Sequence, residues 1–150
     1  MLSRDNVLKN TIIKDFNGFN FEELSNIPKI NLRGNIADKN FTSAVEKILD
    51  IPFPAIVNTF NQNAKLNIIW LSPNEWLIEV HKVQDFNKIL SDLKNSLNPE
   101  NTALTDVTDN RTILRLSGID LYKLLSKFMI IDLDKTLDKE FSVAQTIFIK

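Results

Sequence analysis

The residue types that carry most enzyme chemistry are scarce in this sequence. It contains no cysteine and a single histidine, His81, which excludes a thiolate nucleophile, an iron–sulfur ligand set and a triad of imidazole metal ligands. His81 falls at the end of a predicted strand, where an exposed or hydrogen-bonded role is favoured over catalysis. The three glycines are scattered, so no glycine-rich loop can bring the backbone against a pyrophosphate, and Rossmann-type or P-loop binding is excluded.

The carboxylates offer two loose groups. Asp106 and Asp109 lie near one predicted strand junction, and further aspartates are spaced over residues 132–138. The second group lacks the ligand positions and the glycine of an EF-hand loop, so we expect no metal ion there. For the first group, a turn that Asp109 caps, with Arg111 paired to an acid, is favoured over acid–base catalysis.

The two tryptophans and the few arginines are candidates for recognition. Trp70 and Trp76 flank a predicted hairpin turn, where they could stack on a pterin or flavin ring, although a core or interface role is favoured. Arginine is rare beside lysine, so a position such as Arg111 is either an ordinary surface arginine or a site that needs a planar guanidinium, which lysine cannot imitate.

Composition limits the partners and the location. The formal net charge is −1 and the pI is about 5.8, which gives no general attraction to a nucleic acid or an anionic membrane. The N-terminus lacks a signal-peptide pattern, and no apolar run approaches the roughly 20 residues of a membrane helix. We therefore expect a cytoplasmic protein.

Apolar periodicity predicts a β-α-β-β-α-β order over residues 29–107. Strands are predicted at 29–33, 66–71, 76–80 and 103–107, with the central two forming a hairpin across Ser72-Pro73-Asn74-Glu75. Two amphipathic helices lie between these strands, and their apolar faces hold Phe41, Ala44, Val45, Ile48 and Leu49 in the first and Phe86, Ile89, Leu90, Leu93 and Leu97 in the second. Asp38 or Asn40 can cap the start of the first helix. This order is a split ferredoxin-like unit of an α+β fold.

A partial second β-α-β unit follows. We predict a strand over 111–116, a helix with Leu121, Leu124, Leu125 and Phe128 inward, a loop over 132–140 and a last strand over 141–149. Residues 1–28 are predicted as an N-terminal leader segment, and 29–150 as the domain. The phenylalanines of the leader indicate docking, and packing on the same domain is favoured over packing on a partner.

Several strings resemble one family in order and spacing. They are Lys29-Ile-Asn-Leu-Arg-Gly34, Asn58-Thr59-Phe60, Trp70-Leu-Ser-Pro-Asn-Glu-Trp-Leu77, Asp106-Val-Thr-Asp-Asn-Arg-Thr-Ile-Leu-Arg-Leu-Ser-Gly118 and Val143-Ala-Gln-Thr146. Together they are similar to the gamma subunit of heterotetrameric sarcosine oxidase, whose fold resembles the folate-binding part of aminomethyltransferases. The resemblance runs from about Phe19 to Thr146.

The resemblance implies an accessory subunit of an oxidoreductase, without catalytic, cofactor-binding or metal-binding residues of its own. The implied partners are the alpha, beta and delta subunits, mainly alpha. FAD, FMN, NAD, tetrahydrofolate and zinc are implied in those chains. The implied reaction of the whole is oxidative demethylation of sarcosine to glycine, with formation of hydrogen peroxide and, with tetrahydrofolate, methylenetetrahydrofolate.

Two points stay open from the sequence. The family's domain continues beyond the Ala-Gln-Thr strand, so this lineage is short, the sequence is truncated, or a partner covers the final strand edge. A stand-alone folate-binding protein is the alternative function, with Arg111 or Arg115 holding the glutamate tail and a tryptophan stacking on the pterin.

As interface residues toward a partner, the sequence favours Asn58, Thr59, Phe60, Trp76 and Arg111.

Overall fold

A computed structural model of the chain describes residues 13–16, 18–24 and 27–149. These residues form a five-stranded and a three-stranded antiparallel sheet with four helices. In chain order the elements are β1 (Ile13–Phe16), β2 (Phe19–Leu24), β3 (Lys29–Arg33), α1 (Lys39–Leu49), β4 (Phe60–Gln62), β5 (Leu66–Ser72), β6 (Glu75–Val80), α2 (Val83–Ser96), β7 (Ala103–Asp106), β8 (Ile113–Gly118), α3 (Leu121–Leu125) and α4 (Leu133–Thr136). A 3-10 turn at Thr108–Asn110 separates β7 from β8.

The five-stranded sheet has the strand order β4-β5-β6-β3-β7. Without β4, this is the order of a ferredoxin-like unit, in which the first and third strands pair at the centre. The α+β prediction is therefore confirmed for this unit. The short strand β4 is an addition at the edge, inside what the sequence predicted as an irregular connection.

Local sequence signals fix the first helix. The side chain of Asp38 accepts hydrogen bonds from the backbone N–H groups of Asn40 at 2.9 Å and Phe41 at 3.4 Å, which confirms an N-cap near this position. The ring of Phe41 lies so close to Gly34 that a Cβ there would come within 2.5 Å of it. A glycine is thus required where the chain leaves β3 and the helix packs back on the sheet.

The hydrophobic core lies between the two long helices and one face of the five-stranded sheet. Its strand residues alternate as the sequence predicted: Trp76, Ile78 and Val80 of β6 are all fully buried. The predicted apolar faces of α1 and α2 pack against them, and the buried helix residues are Phe41, Val45, Leu49, Phe86, Ile89 and Leu93.

Trp76 is the centre of an aromatic cluster in this core. Its ring centroid lies 4.5 Å from that of Phe53 and 6.0 Å from that of Phe41. The indole N–H donates a hydrogen bond of 3.1 Å to the carbonyl of Pro54. The cluster therefore joins the β5–β6 hairpin, helix α1 and the irregular segment that leads to β4.

The second half of the chain differs from its prediction. Strand β8 pairs with β2 in the three-stranded sheet, so β7 and β8 belong to different sheets although they are close in sequence. Helix α3 is shorter than expected, and the predicted loop over 132–140 contains the short helix α4, capped by Asp132. The last strand predicted over 141–149 is wrong, since this segment forms only two isolated bridges, Thr59 with Ser142 and Met129 with Phe148.

The segment predicted as a leader contributes strands β1 and β2, which pair with each other and, through β2, with β8. Residues 1–12 of that predicted leader lie outside the described residues. The phenylalanine Phe19 is half-buried and its ring approaches Gly118, which agrees with packing on the same domain.

Replacement of Trp76 by alanine tests the core. Removal of the indole leaves a cavity against Phe41 and Phe53, and we expect a loss of about 3–5 kcal/mol in the free energy of unfolding. Urea denaturation followed by circular dichroism measures this loss. The matched control is Val83→Ala at an exposed position of α2, with an expected change within about 0.5 kcal/mol. Equal urea midpoints for the two variants would contradict the assignment.

Candidate partner interface

The outer face of the five-stranded sheet, opposite the helices, carries a polar cluster. Glu75 at the start of β6 accepts a hydrogen bond of 2.7 Å from the amide of Asn31 and one of 2.8 Å from the guanidinium of Arg33. Both donors stand on β3, where Arg33 is the direct cross-strand partner of Glu75. Opposite charges in this position stabilise the pairing of the two central strands.

The environment of Glu75 lowers the pKa of its carboxyl group below the ordinary value. The hydrogen bond from Arg33 is the largest cause, followed by the hydrogen bond from Asn31, and partial burial of the carboxyl opposes them. Arg111 adds a weaker electrostatic attraction, so this predicted interface residue faces the same cluster. Arg111 is itself exposed, directly after the 3-10 turn. The pairing of Arg111 with an acid stays a prediction, because its attraction to Glu75 is only a weak electrostatic one.

The turn before Arg111 is built by Asp106. Its carboxylate accepts a hydrogen bond of 2.9 Å from the backbone N–H of Thr108 and one of 2.5 Å from the hydroxyl of Thr108. The Thr108 hydroxyl also accepts from the backbone N–H of Lys29 at 3.0 Å. The side chain that caps this turn is therefore Asp106, whereas the sequence predicted Asp109.

The predicted segment 58–60 lies at the edge of the five-stranded sheet and is already paired on its outer side. The carbonyl of Asn58 accepts from the N–H of Val143 at 2.9 Å, and the N–H of Phe60 donates to the carbonyl of Phe141 at 3.0 Å. Thr59 forms the bridge with Ser142 between these two bonds. Residues 141–149, hereafter the strap, thus begin by covering this edge.

Backbone and aromatic geometry mark the start of the strap. Asn58 and Phe141 both have positive φ angles, 60° and 64°, in the left-handed region. Asparagine tolerates this region, whereas a bulky phenylalanine there costs about 1–3 kcal/mol. The ring of Phe141 packs edge-on against the ring of Phe60, with centroids 5.3 Å apart. This contact and the two backbone hydrogen bonds hold Phe141 in its strained conformation.

The strap was the feature that sequence patterns missed. The amide of Gln145 donates to the carbonyl of Leu71 at 2.5 Å, which carries the strap across the end of β5. The segment contains no charged residue, so its composition favoured a buried strand. In residues 141–149, apolar and polar residues do not strictly alternate. This is the one signal from which an extended segment outside the sheets could have been inferred.

The remaining candidates occupy structural positions. Trp76 is fully buried, so its part in any interface is limited to supporting Pro54 and the hairpin from beneath. Trp70 is half-buried against the core. His81 is exposed, and its ring nitrogens lie 3.3 Å from the carbonyl of Ala64 and 3.3 Å from the side-chain oxygen of Asn67. The structure brings Asn58, Thr59 and Phe60 together as one edge, with Arg111 at a separate place beside Glu75.

The described residues also bear on metal binding and on membrane insertion. Over the ranges 13–16, 18–24 and 27–149, no group of three or more histidine, cysteine, aspartate or glutamate side chains is placed to hold a metal ion. None of the helices in this part of the chain has the length and apolar character needed to cross a membrane.

Comparison with known proteins identifies a related family and a related structure. A family model described as "Sarcosine oxidase, gamma subunit family" matches residues 33–149. Among solved structures, a chain of the heterotetrameric sarcosine oxidase from Corynebacterium sp. U-96, in complex with pyrrole 2-carboxylate, is similar with a TM-score of 0.68 and 22% identity. The similarity covers 77% of this chain and 57% of that chain, so the chain spans little more than half of its structural neighbour. No curated protein matches the sequence.

Acid titration of the Glu75→Gln variant tests the polar cluster. The folded-state pKa of Glu75 is below its ordinary value of 4.5, so the unfolded chain binds the proton first as the pH falls. The stabilisation is therefore complete above about pH 4.5 and is lost as the pH falls through the folded-state pKa. Arg33 is 54% exposed, so we expect a loss of only about 1 kcal/mol at pH 7 in Glu75→Gln, and a flatter decline in stability below pH 4.5.

The control for this titration is Glu100→Gln, which removes one carboxylate from an exposed loop. Urea midpoints between pH 3 and pH 7 give both curves. An acid limb in Glu75→Gln as steep as that of the wild type and of Glu100→Gln would show that the cluster contributes nothing to stability.

Proposed function

The chain belongs to the sarcosine oxidase gamma subunit family, and from this membership we propose that it is an accessory, non-catalytic subunit of a heterotetrameric sarcosine oxidase. The observation that carries the proposal is the family match over residues 33–149, which extends from the end of β3 to the strap. The similarity in fold to a chain of a heterotetrameric sarcosine oxidase supports it.

The reaction is part of the same proposal. The complex oxidatively demethylates sarcosine to glycine, uses oxygen and releases hydrogen peroxide, and with tetrahydrofolate it forms methylenetetrahydrofolate. The alpha, beta and delta subunits hold FAD, FMN, NAD, tetrahydrofolate and zinc, and alpha is the main contact of this chain. A cytoplasmic location, with which the lack of cysteine is compatible, belongs to this proposal as well.

Three carboxylates of this chain have structural hydrogen bonds, which supports the proposed role. Glu75 joins β6 to β3 through Arg33 and Asn31, and Asp106 builds the turn before Arg111. Glu46, on α1, accepts a hydrogen bond of 2.8 Å from the backbone N–H of Phe53. Each of these carboxylates accepts a hydrogen bond from a backbone N–H group or joins two strands, and so stabilises the path of the backbone.

The stand-alone folate-binding alternative is weakened by the placement of the tryptophans. Trp76 has no exposed surface, and Trp70 is half-buried against the core, so only part of one indole is open to a pterin ring. Arg115, one of the two candidates for the glutamate tail, lies 3.5 Å from Glu22 across the β2–β8 pair. Its guanidinium is therefore already placed beside a carboxylate of this chain.

Co-expression tests the proposed role. With a tag on this chain and the alpha, beta and delta subunits from the same genome, we expect all four chains to co-purify at near-equal amounts. Sarcosine-dependent hydrogen peroxide formation should appear in the four-chain preparation and be absent from this chain purified alone. A tagged chain that elutes without the other three, or that turns over sarcosine alone, would refute the role.

Titration with tetrahydrofolate separates the two functions. Because both indoles are engaged in packing, we expect less than about 10% change in tryptophan fluorescence up to several hundred micromolar ligand, after correction for ligand absorbance. Isothermal calorimetry on the same samples checks binding that leaves fluorescence unchanged. Saturable binding with a dissociation constant below about 100 μM, or roughly 5.5 kcal/mol, would favour the folate-binding alternative.

A further inference from the structure

Exposed apolar side chains concentrate where the strap ends. The exposed fractions are 39% for Phe128, 73% for Ile130, 71% for Ile147, 60% for Phe148 and 48% for Ile149. We call these five residues the apolar patch. At roughly 200 Å² for each large apolar residue, these fractions amount to about 600 Å². The largest apolar patch on a typical monomer covers about 300–600 Å², and patches at this upper limit often serve an interaction.

The apolar patch is held in shape by contacts between its own two segments. Met129 and Phe148 form an antiparallel bridge, and the N–H of Ile149 donates a hydrogen bond of 2.7 Å to the carbonyl of Phe128. The rings of Phe128 and Phe148 stack with centroids 5.3 Å apart and an angle of 8° between their planes. The two short segments therefore hold each other in place, and binding a partner requires little further ordering.

The strap connects this patch to the predicted interface segment. Its first residue, Phe141, packs on Phe60, and seven residues later Phe148 packs on Phe128. Seven residues span at most about 25 Å, whereas a standard interface of about 800 Å² per partner is roughly 30 Å across. One partner can therefore cover the whole strap, including the edge at Asn58, Thr59 and Phe60.

Charge and area together point to the chemistry of the partner. Residues 141–149 carry no charge, so the partner surface that covers them needs no opposite charges. An apolar cleft on the partner matches these residues best. Two copies that met through the apolar patch alone would bury at most about 1,200 Å², the lower limit for a stable interface, even with every atom covered. Either kind of partner reaches the standard area if it also covers the rest of the strap, and the proposed heterotetramer favours a different subunit over a second copy.

We propose that the strap and the apolar patch form the surface by which this chain docks into an apolar cleft of a larger, different subunit. The inference rests on the proposed function, because it names the contact surface within that assembly. The proposal also gives Asn58, Thr59 and Phe60 an indirect part in the interface. The strap pairs with these three residues, and the strap in turn contacts the partner.

The test uses the four-chain co-expression with paired variants. Ile130→Asp combined with Ile147→Asp places two charges in the apolar patch, at side chains that project into solvent. The matched control is Val83→Asp, which replaces another exposed apolar residue by aspartate in the first turn of α2. We expect the double variant to lose at least tenfold in captured partner, while the control captures as the wild type does. Thermal unfolding of the isolated chains, within about 2 °C of wild type for both variants, shows that folding is intact.

Each outcome decides one claim. If the wild type captures the other subunits and the double variant captures them equally, the strap is not the interface and only this inference fails. If the wild type captures nothing, the proposed function fails with it. If the wild-type chain alone forms a concentration-dependent dimer that the double variant abolishes, as measured by light scattering after gel filtration, the occupant is a second copy and the proposal is overturned.

Discussion

The hydrogen bond from the buried indole of Trp76 to the carbonyl of Pro54 is the contact on which the exposed part of the fold depends. Phe53, packed 4.5 Å from the same indole, and Glu46, which accepts from the N–H of Phe53, fix the neighbouring backbone. Together they hold an otherwise irregular segment against the core. Strand β4 follows this segment, and the strap pairs with the residues at its start, so the position of the strap is set from the core outward.

Prediction from the sequence succeeded where apolar periodicity and local caps act together. The helix faces of α1 and α2, the hairpin of β5 and β6, and the cap at Asp38 are all short-range patterns that burial in one core makes unambiguous. The ferredoxin-like order then follows from the sequence of elements. In this half of the chain, local preference and tertiary packing agree.

Prediction failed where pairing depends on residues that are distant in sequence. Strand β8 pairs with β2, about 95 positions earlier by the match of Phe21 with Leu116, and no local pattern encodes that choice. The strap has the composition of a buried strand, but Phe141 takes a left-handed conformation and the segment makes only isolated bridges. Among the predicted interface residues, Trp76 was placed on a correct hairpin but faces the core, since sequence alternation alone does not say which face of a sheet the helices cover.

Family membership and an exposed apolar surface together support the proposed function. The chain belongs to the sarcosine oxidase gamma subunit family, and its carboxylates Glu46, Glu75 and Asp106 stabilise backbone and strand pairing. A cluster of exposed apolar side chains lies at the end of an uncharged strap. The proposed accessory role requires a preformed apolar surface held by a stable core, and the link from Trp76 to the strap supplies that support.

Hydrogen–deuterium exchange of this chain, alone and within the four-chain assembly, measures the central claim most directly. The account predicts that peptides covering 128–130 and 141–149 gain protection on assembly, while the outer surface of α2 exchanges equally in both samples. Protection confined to α2, or no change in the strap peptides within a complex of all four chains, would contradict it.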